Sequence, residues 1–211
     1  HSSGSPRPPY TCQSNHRETR TVRILLLTLV ILSGNTMANT VEEPTWELIE
    51  QIDAVELRRY GATIEARTPL NSSRESSGGF RRLAGYIFGG NDSGKEIAMT
   101  APVGETLVPE NPVMSFTMPS EYSMNDLPAP QDGSVSLHSV PQRTIAAISF
   151  SGWATAGKVR RNKEALLATL EAEGIEVIGA PTLNQYNPPW TPPFLRRNEV
   201  VVEVGLERAE K

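Results

Sequence analysis

The stretch Phe80-Arg-Arg-Leu-Ala-Gly-Tyr-Ile-Phe-Gly-Gly90 repeats its apolar side chains at the spacing of an α-helix. They fall at positions i, i+3, i+4, i+7 and i+8, so a helix gathers them on one stripe. These residues are Phe80, Leu83, Ala84, Ile87 and Phe88. Ser76 and Ser77 suit the start of the helix, and Gly89-Gly90 supplies a left-handed stop. The stretch therefore predicts an amphipathic helix that covers a core.

Strand-like segments lie on both sides of this helix. Trp46–Gln51 and Val55–Arg67 precede it, and the second segment is rich in alternating and β-branched residues. A serine- and glycine-rich loop, Asn71–Gly79, leads into the helix. Lys95–Val103 and Val113–Met118 follow it as two further predicted strands. The first half of the body therefore has the order β-β-α-β-β.

The second half of the body repeats this order. Its predicted strands, helix and strands lie at Val135–Val140, Thr144–Phe150, Ala156–Glu173, Val177–Tyr186 and Glu199–Val204, in that sequence. Gly174 is the predicted residue after the helix end. Short turns between successive strands favour antiparallel pairing over βαβ crossovers. We therefore predict an α+β fold over residues 39–211, as one pseudo-symmetric domain with a curved sheet or open barrel and two flanking helices.

The first 38 residues have the pattern of a leader. The apolar run Ile24–Leu32 reaches only about half of the ~30 Å bilayer core at ~1.5 Å per residue, as a signal-peptide core does. Small residues around Ala38 offer a cleavage site, so we expect residues 1–38 to be a tag remnant and leader. The mature chain is then extracytoplasmic, either periplasmic or secreted. The alternative is a cytoplasmic protein that starts at Met37.

Charge argues against nucleic-acid binding by the body. The chain carries a net charge of −4, and residues 1–38 carry +3, which leaves −7 for the remainder. A nucleic-acid-binding surface needs basic side chains to neutralise phosphates. We therefore expect no nucleic-acid partner, and no membrane span in the mature chain.

The body also lacks the side chains of common catalytic and metal sites. Cys12 is the only cysteine of the chain and His138 is the only histidine after residue 38. A nucleophilic triad needs a base beside its nucleophile, and a metal cage gathers several ligands. The sequence therefore favours a binding protein over an enzyme.

A proline-rich segment late in the chain is the second unusual feature. Tyr186-Asn-Pro-Pro-Trp-Thr-Pro-Pro-Phe-Leu-Arg-Arg-Asn198 combines stiff backbone, aromatic rings and two arginines. Such groups suit a planar, apolar ligand that carries carboxylates. The alternative is a rigid loop whose arginines pair with acidic side chains of the domain.

Four blocks of the sequence resemble the SOUL haem-binding family. They are Tyr86-Ile-Phe-Gly-Gly-Asn91, Ile97-Ala-Met-Thr-Ala-Pro-Val103, Tyr186-Asn-Pro-Pro-Trp190 and Arg196-Arg-Asn-Glu-Val200. The resemblance runs from about Trp46 to Val204. It implies a distorted antiparallel β-barrel with two flanking helices, built from an internal ββαββ repeat.

The resemblance also implies haem or porphyrin binding in a hydrophobic surface groove. The groove would lie beside the first helix, near the proline-rich segment. The matching positions are Phe80, Leu83, Ala84, Ile87, Met99, Tyr186, Trp190, Arg196 and Arg197. His138 is a candidate axial ligand although it matches no ligand position of the family, so the ligand of the iron stays open and we expect weak axial ligation or none.

The function that we predict is therefore a tetrapyrrole carrier or buffer without catalysis. One alternative is a module that binds other flat apolar molecules, or a protein partner, without physiological haem. A weaker alternative is an enzyme that modifies the tetrapyrrole.

Overall fold

The computed structural model describes residue 1, residues 41–72 and residues 75–208. The chain divides into two units, residues 1–38 and residues 39–211. The leader and its cleavage site lie outside the described residues, so export stays a prediction. Among the described residues, no helix is both long enough and apolar enough to cross a bilayer.

Ten strands and two helices follow one another along residues 41–208. They are β1 (Trp46–Ile52), β2 (Val55–Tyr60), β3 (Thr63–Pro69), α1 (Ser76–Ile87), β4 (Val103–Thr106), β5 (Val113–Thr117), β6 (Ser136–Val140), β7 (Arg143–Ser151), α2 (Ala156–Ala172), β8 (Ile175–Val177), β9 (Thr182–Gln185) and β10 (Arg197–Arg208).

The strands form one antiparallel sheet that curls into a half-barrel. Its order is β1-β2-β7-β10-β9-β4-β5-β3-β6, and β8 adds to β10. Every pairing between these strands is antiparallel. The predicted α+β fold, a curved sheet with two helices, is confirmed.

The strand order confirms an internal ββαββ repeat, although β1, the predicted first strand of the first half, lies outside it. The first half of the body is β2-β3-α1-β4-β5, and the second is β6-β7-α2-β9-β10. Outward from the central β4–β9 pair, the sheet reads β4-β5-β3-β6 on one side and β9-β10-β7-β2 on the other. The two halves therefore exchange their first strands, which interlocks them in one domain.

This exchange overturns the prediction of a single strand over Val55–Arg67. The chain breaks at Gly61-Ala62, because β2 pairs with β7 while β3 pairs with β5 and β6. The two strands thus belong to opposite sides of the sheet. Alternating residues continue through the break, so the local pattern does not reveal it.

The prediction of a strand over Lys95–Val103 is also wrong. Only isolated bridges, Phe88 to Glu96 and Glu42 to Thr100, occur before β4 begins at Val103. Pro102 stands immediately before that strand, and a proline cannot donate a ladder hydrogen bond.

Other predicted boundaries move by a few residues. Helix α1 begins at Ser76, inside the predicted Asn71–Gly79 loop. The Val177–Tyr186 segment holds β9 and the end of β8, and the last strand extends to Arg197–Arg208. The second helix is confirmed, since α2 ends at Ala172 and Gly174 follows with a positive φ of 66°.

The two faces of the sheet differ in chemistry. One face packs apolar side chains against the helices, with one cluster around α2 and another around α1. The opposite, concave face carries mainly polar and charged side chains, among them Arg58, Glu65 and Glu199. Alternation along β10 illustrates the division, because Val200 and Val202 belong to the α2 cluster while Glu199 points away from it.

Candidate functional site

The inner face of α1 is part of the core. Gly79, Leu83, Tyr86 and Ile87 are buried, and the helix packs on β3 and β5. Leu83 and Ile87, which were predicted to line the groove, are no more than 1% exposed. They support the helix from below and present no surface to a ligand.

The outer face of α1 remains apolar although it is open to solvent. Phe80 is 39% exposed and Phe88 is 63% exposed, with the partly exposed Ala84 between them. Phe80 packs edge-on against Phe116, with 5.4 Å between ring centroids, which fixes its ring. Gly85 lies beside this stripe, and a Cβ built there would meet nothing within 4 Å. The result is a flat apolar shelf with aromatic rings at both ends.

An arginine lies on the same shelf. Arg81, Ala84, Gly85 and Phe88 follow at i, i+3, i+4 and i+7, so they are neighbours on the helix surface. Arg81 is exposed. Arg82 is engaged elsewhere, because its guanidinium donates to the Glu75 carboxylate at 2.7 Å and to the Thr68 hydroxyl at 2.9 Å. Arg81 has no partner among the residues that the structure describes, so its guanidinium stays available to a carboxylate above the shelf.

The segment after α1 is held by one buried asparagine. Gly89 has a positive φ of 99°, which confirms the predicted stop. The Asn91 amide donates to the Tyr86 carbonyl at 3.1 Å and to the Lys95 carbonyl at 2.7 Å. Burial raises the pKa of Tyr86 to about 12, so its hydroxyl stays protonated. Gly89 and Asn91, both in the first sequence block, thus fix how the helix ends. Beyond it, the half-buried Met99 packs on the α1 core.

The proline-rich loop, residues 187–196 between β9 and β10, lies over the other half of the sheet. Its short 3-10 turn, Pro193–Leu195, contacts β7. The buried Arg196 guanidinium donates to the carbonyls of Pro189 and Thr191 and stacks on the Trp153 ring at 3.9 Å. Trp190 itself is exposed. Arg196 therefore ties the loop together and is not aimed at a ligand.

Tyr186 and Arg197 lie on the concave face. The Arg197 guanidinium stacks 3.6 Å above the Tyr186 ring and donates to the Glu43 carboxylate. The Tyr186 hydroxyl donates to Glu199 at 2.7 Å. Burial, together with the neighbouring Glu199 charge, holds the pKa of Tyr186 above its ordinary value. The alternative prediction, arginines that pair with acidic side chains of the domain, describes Arg197, which donates to Glu43. It does not describe Arg196, whose partners are backbone carbonyls and the Trp153 ring.

A buried ion pair anchors the same face. Arg58 donates to both carboxylate oxygens of Glu199, at 2.9 and 3.1 Å, and Ser149 donates to one of them. Burial acts to lower the pKa of Arg58, but the hydrogen bond and charge of Glu199 outweigh it and raise that pKa. The pair is therefore a charged, fully satisfied element of the fold.

Two neighbouring cavities open on the concave side. One measures about 300 Å³ and is lined by polar groups that include Ser115, Thr182 and Asn184. The other measures about 470 Å³ and shares Glu43 and Thr63 with the first. Neither cavity includes a residue of α1 in its lining.

The predicted groove residues thus occupy three places. Phe80, Ala84, Leu83 and Ile87 lie on α1, with Met99 packed against its core; Trp190 and Arg196 lie in the proline-rich loop; Tyr186 and Arg197 lie on the concave face. The structure therefore places the α1 residues over one half of the sheet and the proline-rich loop beside the other.

His138 lies on the face of the sheet opposite the α1 core. It is exposed on β6, and its ring shares a 2.9 Å hydrogen bond with Ser136. Its neighbour Leu137 packs into the α1 core, so alternation turns His138 to the opposite face of the strand. Within residues 41–72 and 75–208, no group of three or more His, Cys, Asp and Glu is arranged to hold a metal ion.

Phe88, Gly85 and Arg81 belong to the shelf but were absent from the predicted set. The helical period contained the signal for them. Arg81 precedes Ala84 by three residues, Phe88 follows it by four, and Gly85 follows Arg81 by four. What the period left open was which edge of a wide apolar stripe turns inward.

Comparison with known proteins gives a consistent family. The family model described as SOUL heme-binding protein matches residues 41–203. Heme-binding protein 2 of Mus musculus is 30% identical over 148 residues, which cover 64% of this chain and 72% of that protein. Heme-binding protein 2 of Homo sapiens is 30% identical over 151 residues, which cover 65% of this chain and 73% of that protein.

Solved structures share the fold at much lower identity. The EcmrR C-terminal domain aligns with a TM-score of 0.56 and 12% identity, over 72% of this chain and 96% of that chain. A hydrolase from Listeria innocua aligns with a TM-score of 0.55 and 9% identity, over 74% of this chain and 94% of that chain. At these identities the similarity concerns the fold alone.

Proposed function

The chain belongs to the SOUL heme-binding protein family, and from this premise we propose that it binds haem or a related tetrapyrrole on the outer face of α1, as a carrier or buffer without catalysis. The mouse and human relatives are named for heme binding, which supports the ligand class. The location and the carrier role are our inference from the surface of the helix.

The observation that carries the proposal is the exposed apolar shelf of α1. Phe80 and Phe88 remain in solvent on a helix whose inner face already fills the core. A flat macrocycle laid across Ala84 and Gly85 removes these rings from water, and no Cβ at Gly85 holds it away. The exposed Arg81 offers a guanidinium to a propionate at the edge of the ring.

The shelf fits the macrocycle without a bond to iron. Burial of roughly 400 Å² of apolar surface contributes about 10 kcal/mol at ~25 cal/mol per Å². Association cancels about half of this gain, which leaves about 5 kcal/mol. A charged hydrogen bond between Arg81 and a propionate adds about 1.5–3 kcal/mol, so the total of about 6.5–8 kcal/mol corresponds to an affinity between about one and tens of micromolar. The protein therefore recognises the ring and its carboxylates, and metal-free porphyrin is an equally suitable probe.

A charge placed on the shelf tests the location. Gly85→Glu adds a carboxylate where there is open space and replaces a helical glycine, so the fold tolerates it. We expect at least about tenfold weaker binding of protoporphyrin IX, because the new side chain covers the shelf and repels propionates. Tryptophan quenching or porphyrin absorbance during titration measures the affinity.

The matched control is Gly157→Glu on α2. That position also lies in a helix, and the nearest atom to an added Cβ is the Arg161 guanidinium at 3.8 Å. We expect its porphyrin affinity to stay within about twofold of the parent, since the added charge is on the other half of the molecule. Equal weakening by both variants, or by neither, contradicts a site on α1.

A second candidate is a small-molecule site in the concave cavities. Their volumes of about 300 and 470 Å³ match those of ordinary ligand sites. Asn184→Leu fills part of the smaller cavity and leaves α1 untouched. If porphyrin binding responds to Asn184→Leu and not to Gly85→Glu, the ligand occupies the concave face.

A further inference from the structure

Four large apolar side chains are exposed together at one corner of the molecule. Trp190 and Phe194 are 83% and 78% exposed in the proline-rich loop, and Leu195 and Trp153 beside them are 62% and 55% exposed. The Arg196 guanidinium joins the two segments, since it stacks on Trp153 and bonds the loop carbonyls. We call these four residues the apolar tip.

The apolar tip is held outward by the backbone. Pro188, Pro189, Pro192 and Pro193 fix their backbone φ angles, and the Leu195 amide donates to the Pro192 carbonyl at 3.0 Å. The Arg196 bonds close the loop from behind. These contacts restrain the backbone of the loop, so the tip presents its side chains from a stiff support. A grouped, stiffly presented apolar surface of this kind marks an interaction site.

A basic segment adjoins the tip. The first turns of α2 carry Lys158, Arg160, Arg161 and Lys163 against one acidic residue, Glu164, whose carboxylate lies 3.8 Å from the Arg160 guanidinium in an exposed pair. The Lys158 amine donates to the Ser151 carbonyl at 2.7 Å, two residues before Trp153, which places this end of the helix beside the tip. The concentration of positive charge is local, because the whole chain carries a net charge of −4.

We propose that the apolar tip and the basic segment together dock on an anionic lipid surface. Tryptophan and phenylalanine settle at the headgroup level of a bilayer, where part of the ring is buried and part stays wet. Lysine and arginine beside them are attracted to the negative headgroups. The geometry is that of a peripheral contact, in which side chains enter the interface and the domain remains outside.

This surface is separate from the proposed tetrapyrrole site. The tip lies beside β7 and α2, whereas the shelf lies on α1 over β3 and β5. Docking therefore leaves the shelf open, and the two proposals succeed or fail independently. Together they describe a protein that can hold a flat apolar ligand next to a lipid surface.

Tryptophan fluorescence with brominated vesicles tests the docking in the full chain. The chain has three tryptophans, and residues 1–38 contain none, so the signal reports on the body alone. Vesicles contain phosphatidylserine with brominated phosphatidylcholine, and no porphyrin is present. We expect quenching and a blue shift, because the bromine atoms quench only rings that reach the acyl boundary.

Two sets of substitutions separate the tip from its neighbours. Trp190→Ser with Phe194→Ser is expected to weaken vesicle affinity at least about tenfold, through lost apolar burial. Arg160→Glu with Lys163→Glu is expected to weaken it by about fivefold or more per residue, and salt should weaken the parent similarly. Phe88→Ser, an equally apolar exposed ring on α1, is the control and should bind vesicles as the parent does.

Far-UV circular dichroism and urea unfolding monitor the fold of the tip variant, since neither measurement requires a ligand. Absence of quenching on anionic vesicles overturns the proposal even if the protein sediments with them. Equal quenching on purely phosphatidylcholine vesicles, or loss of quenching in Phe88→Ser alone, overturns it as well. If the tip substitutions instead abolish a dimer seen by ultracentrifugation without lipid, the tip binds protein and the lipid proposal is wrong.

Discussion

Arg58 and Glu199 form a buried ion pair in which each charge is compensated by the other. They are 4% and 2% exposed and lie on neighbouring regions of the concave face, linked by two hydrogen bonds. Loss of one partner leaves a charge buried without compensation, whereas loss of both removes the charges and leaves only the hydroxyls of Ser149 and Tyr186 without their acceptor. The contribution of the ion pair is therefore tested by comparing a single substitution with the double substitution.

The Arg58→Met substitution should lower the free energy of unfolding by about 3–5 kcal/mol. Arg58→Met with Glu199→Met should recover part of that loss, because no unpaired charge remains buried. Urea unfolding monitored by circular dichroism gives both values. A double variant that is no more stable than Arg58→Met alone is incompatible with this explanation.

Glu105 provides a pH-dependent effect at a single position. Its carboxylate is 9% exposed and accepts a 2.7 Å hydrogen bond from Ser76. Burial raises the pKa of Glu105, and the Ser76 bond offsets the shift only in part. A raised folded-state pKa means that the folded protein binds this proton more tightly than the unfolded chain does. Ionisation therefore destabilises the fold as pH rises from the ordinary value of about 4.3 through the folded pKa.

We therefore expect Glu105→Gln to raise the Tm at pH 7, while the amide oxygen still accepts from Ser76. The gain should shrink as pH falls towards 4, where the parent carboxyl is itself protonated. Thermal unfolding of both proteins between pH 4 and pH 8 measures the difference. A gain that is independent of pH has another cause.

At the scale of the element, α1 places two glycines in opposite surroundings. A Cβ at Gly79 would lie 2.3 Å from the Leu70 side chain in the core, whereas a Cβ at Gly85 meets nothing within 4 Å. Both positions have helical neighbours and gain about 1 kcal/mol of helix propensity from alanine.

Gly85→Ala should therefore raise the free energy of unfolding by about 0.5–1 kcal/mol. Gly79→Ala should lower it by about 1 kcal/mol, because overpacking of about 1–3 kcal/mol exceeds the gain in propensity. Equilibrium unfolding of the two variants side by side gives the comparison. Stabilisation of similar size in both would mean that Leu70 moves aside freely.

The helical period predicted α1 correctly but not which of its apolar residues are exposed. Five apolar positions form one wide stripe, and burial then divides it between Leu83 and Ile87 inside and Phe80 and Phe88 outside. That division depends on how the helix is rotated on β3 and β5, which is a tertiary property. The strand exchange at Gly61-Ala62 was unpredictable for the same reason, since pairing partners lie far away in sequence.

At the scale of the whole molecule, the blocks that identify the family serve mainly to build the fold. Asn91 fixes the end of α1, Arg196 closes the proline-rich loop, and Glu199 holds Arg58. The Asn198 amide donates to the Gly152 carbonyl at 2.9 Å and so ties β10 to the segment that joins β7 to α2. The blocks therefore predicted the fold well. Which apolar side chains of α1 stay exposed to solvent follows only from the three-dimensional structure.

The separation of the two faces gives a prediction for His138. Since it lies on the face of β6 opposite the α1 core, His138→Ala should leave the Soret spectrum and the affinity of haemin unchanged. Absorption spectra of both proteins with added haemin decide this. A shifted Soret band in the variant would establish His138 as an iron ligand and place the haem elsewhere.

The most direct test of the whole account compares haemin with metal-free protoporphyrin IX on the unmodified protein. If the ring is held by an apolar shelf and a guanidinium, both ligands bind in the micromolar range with similar affinities. Binding of haemin at least about a hundredfold tighter, or about 2.7 kcal/mol, contradicts this, because only a bond to iron distinguishes the two ligands so strongly.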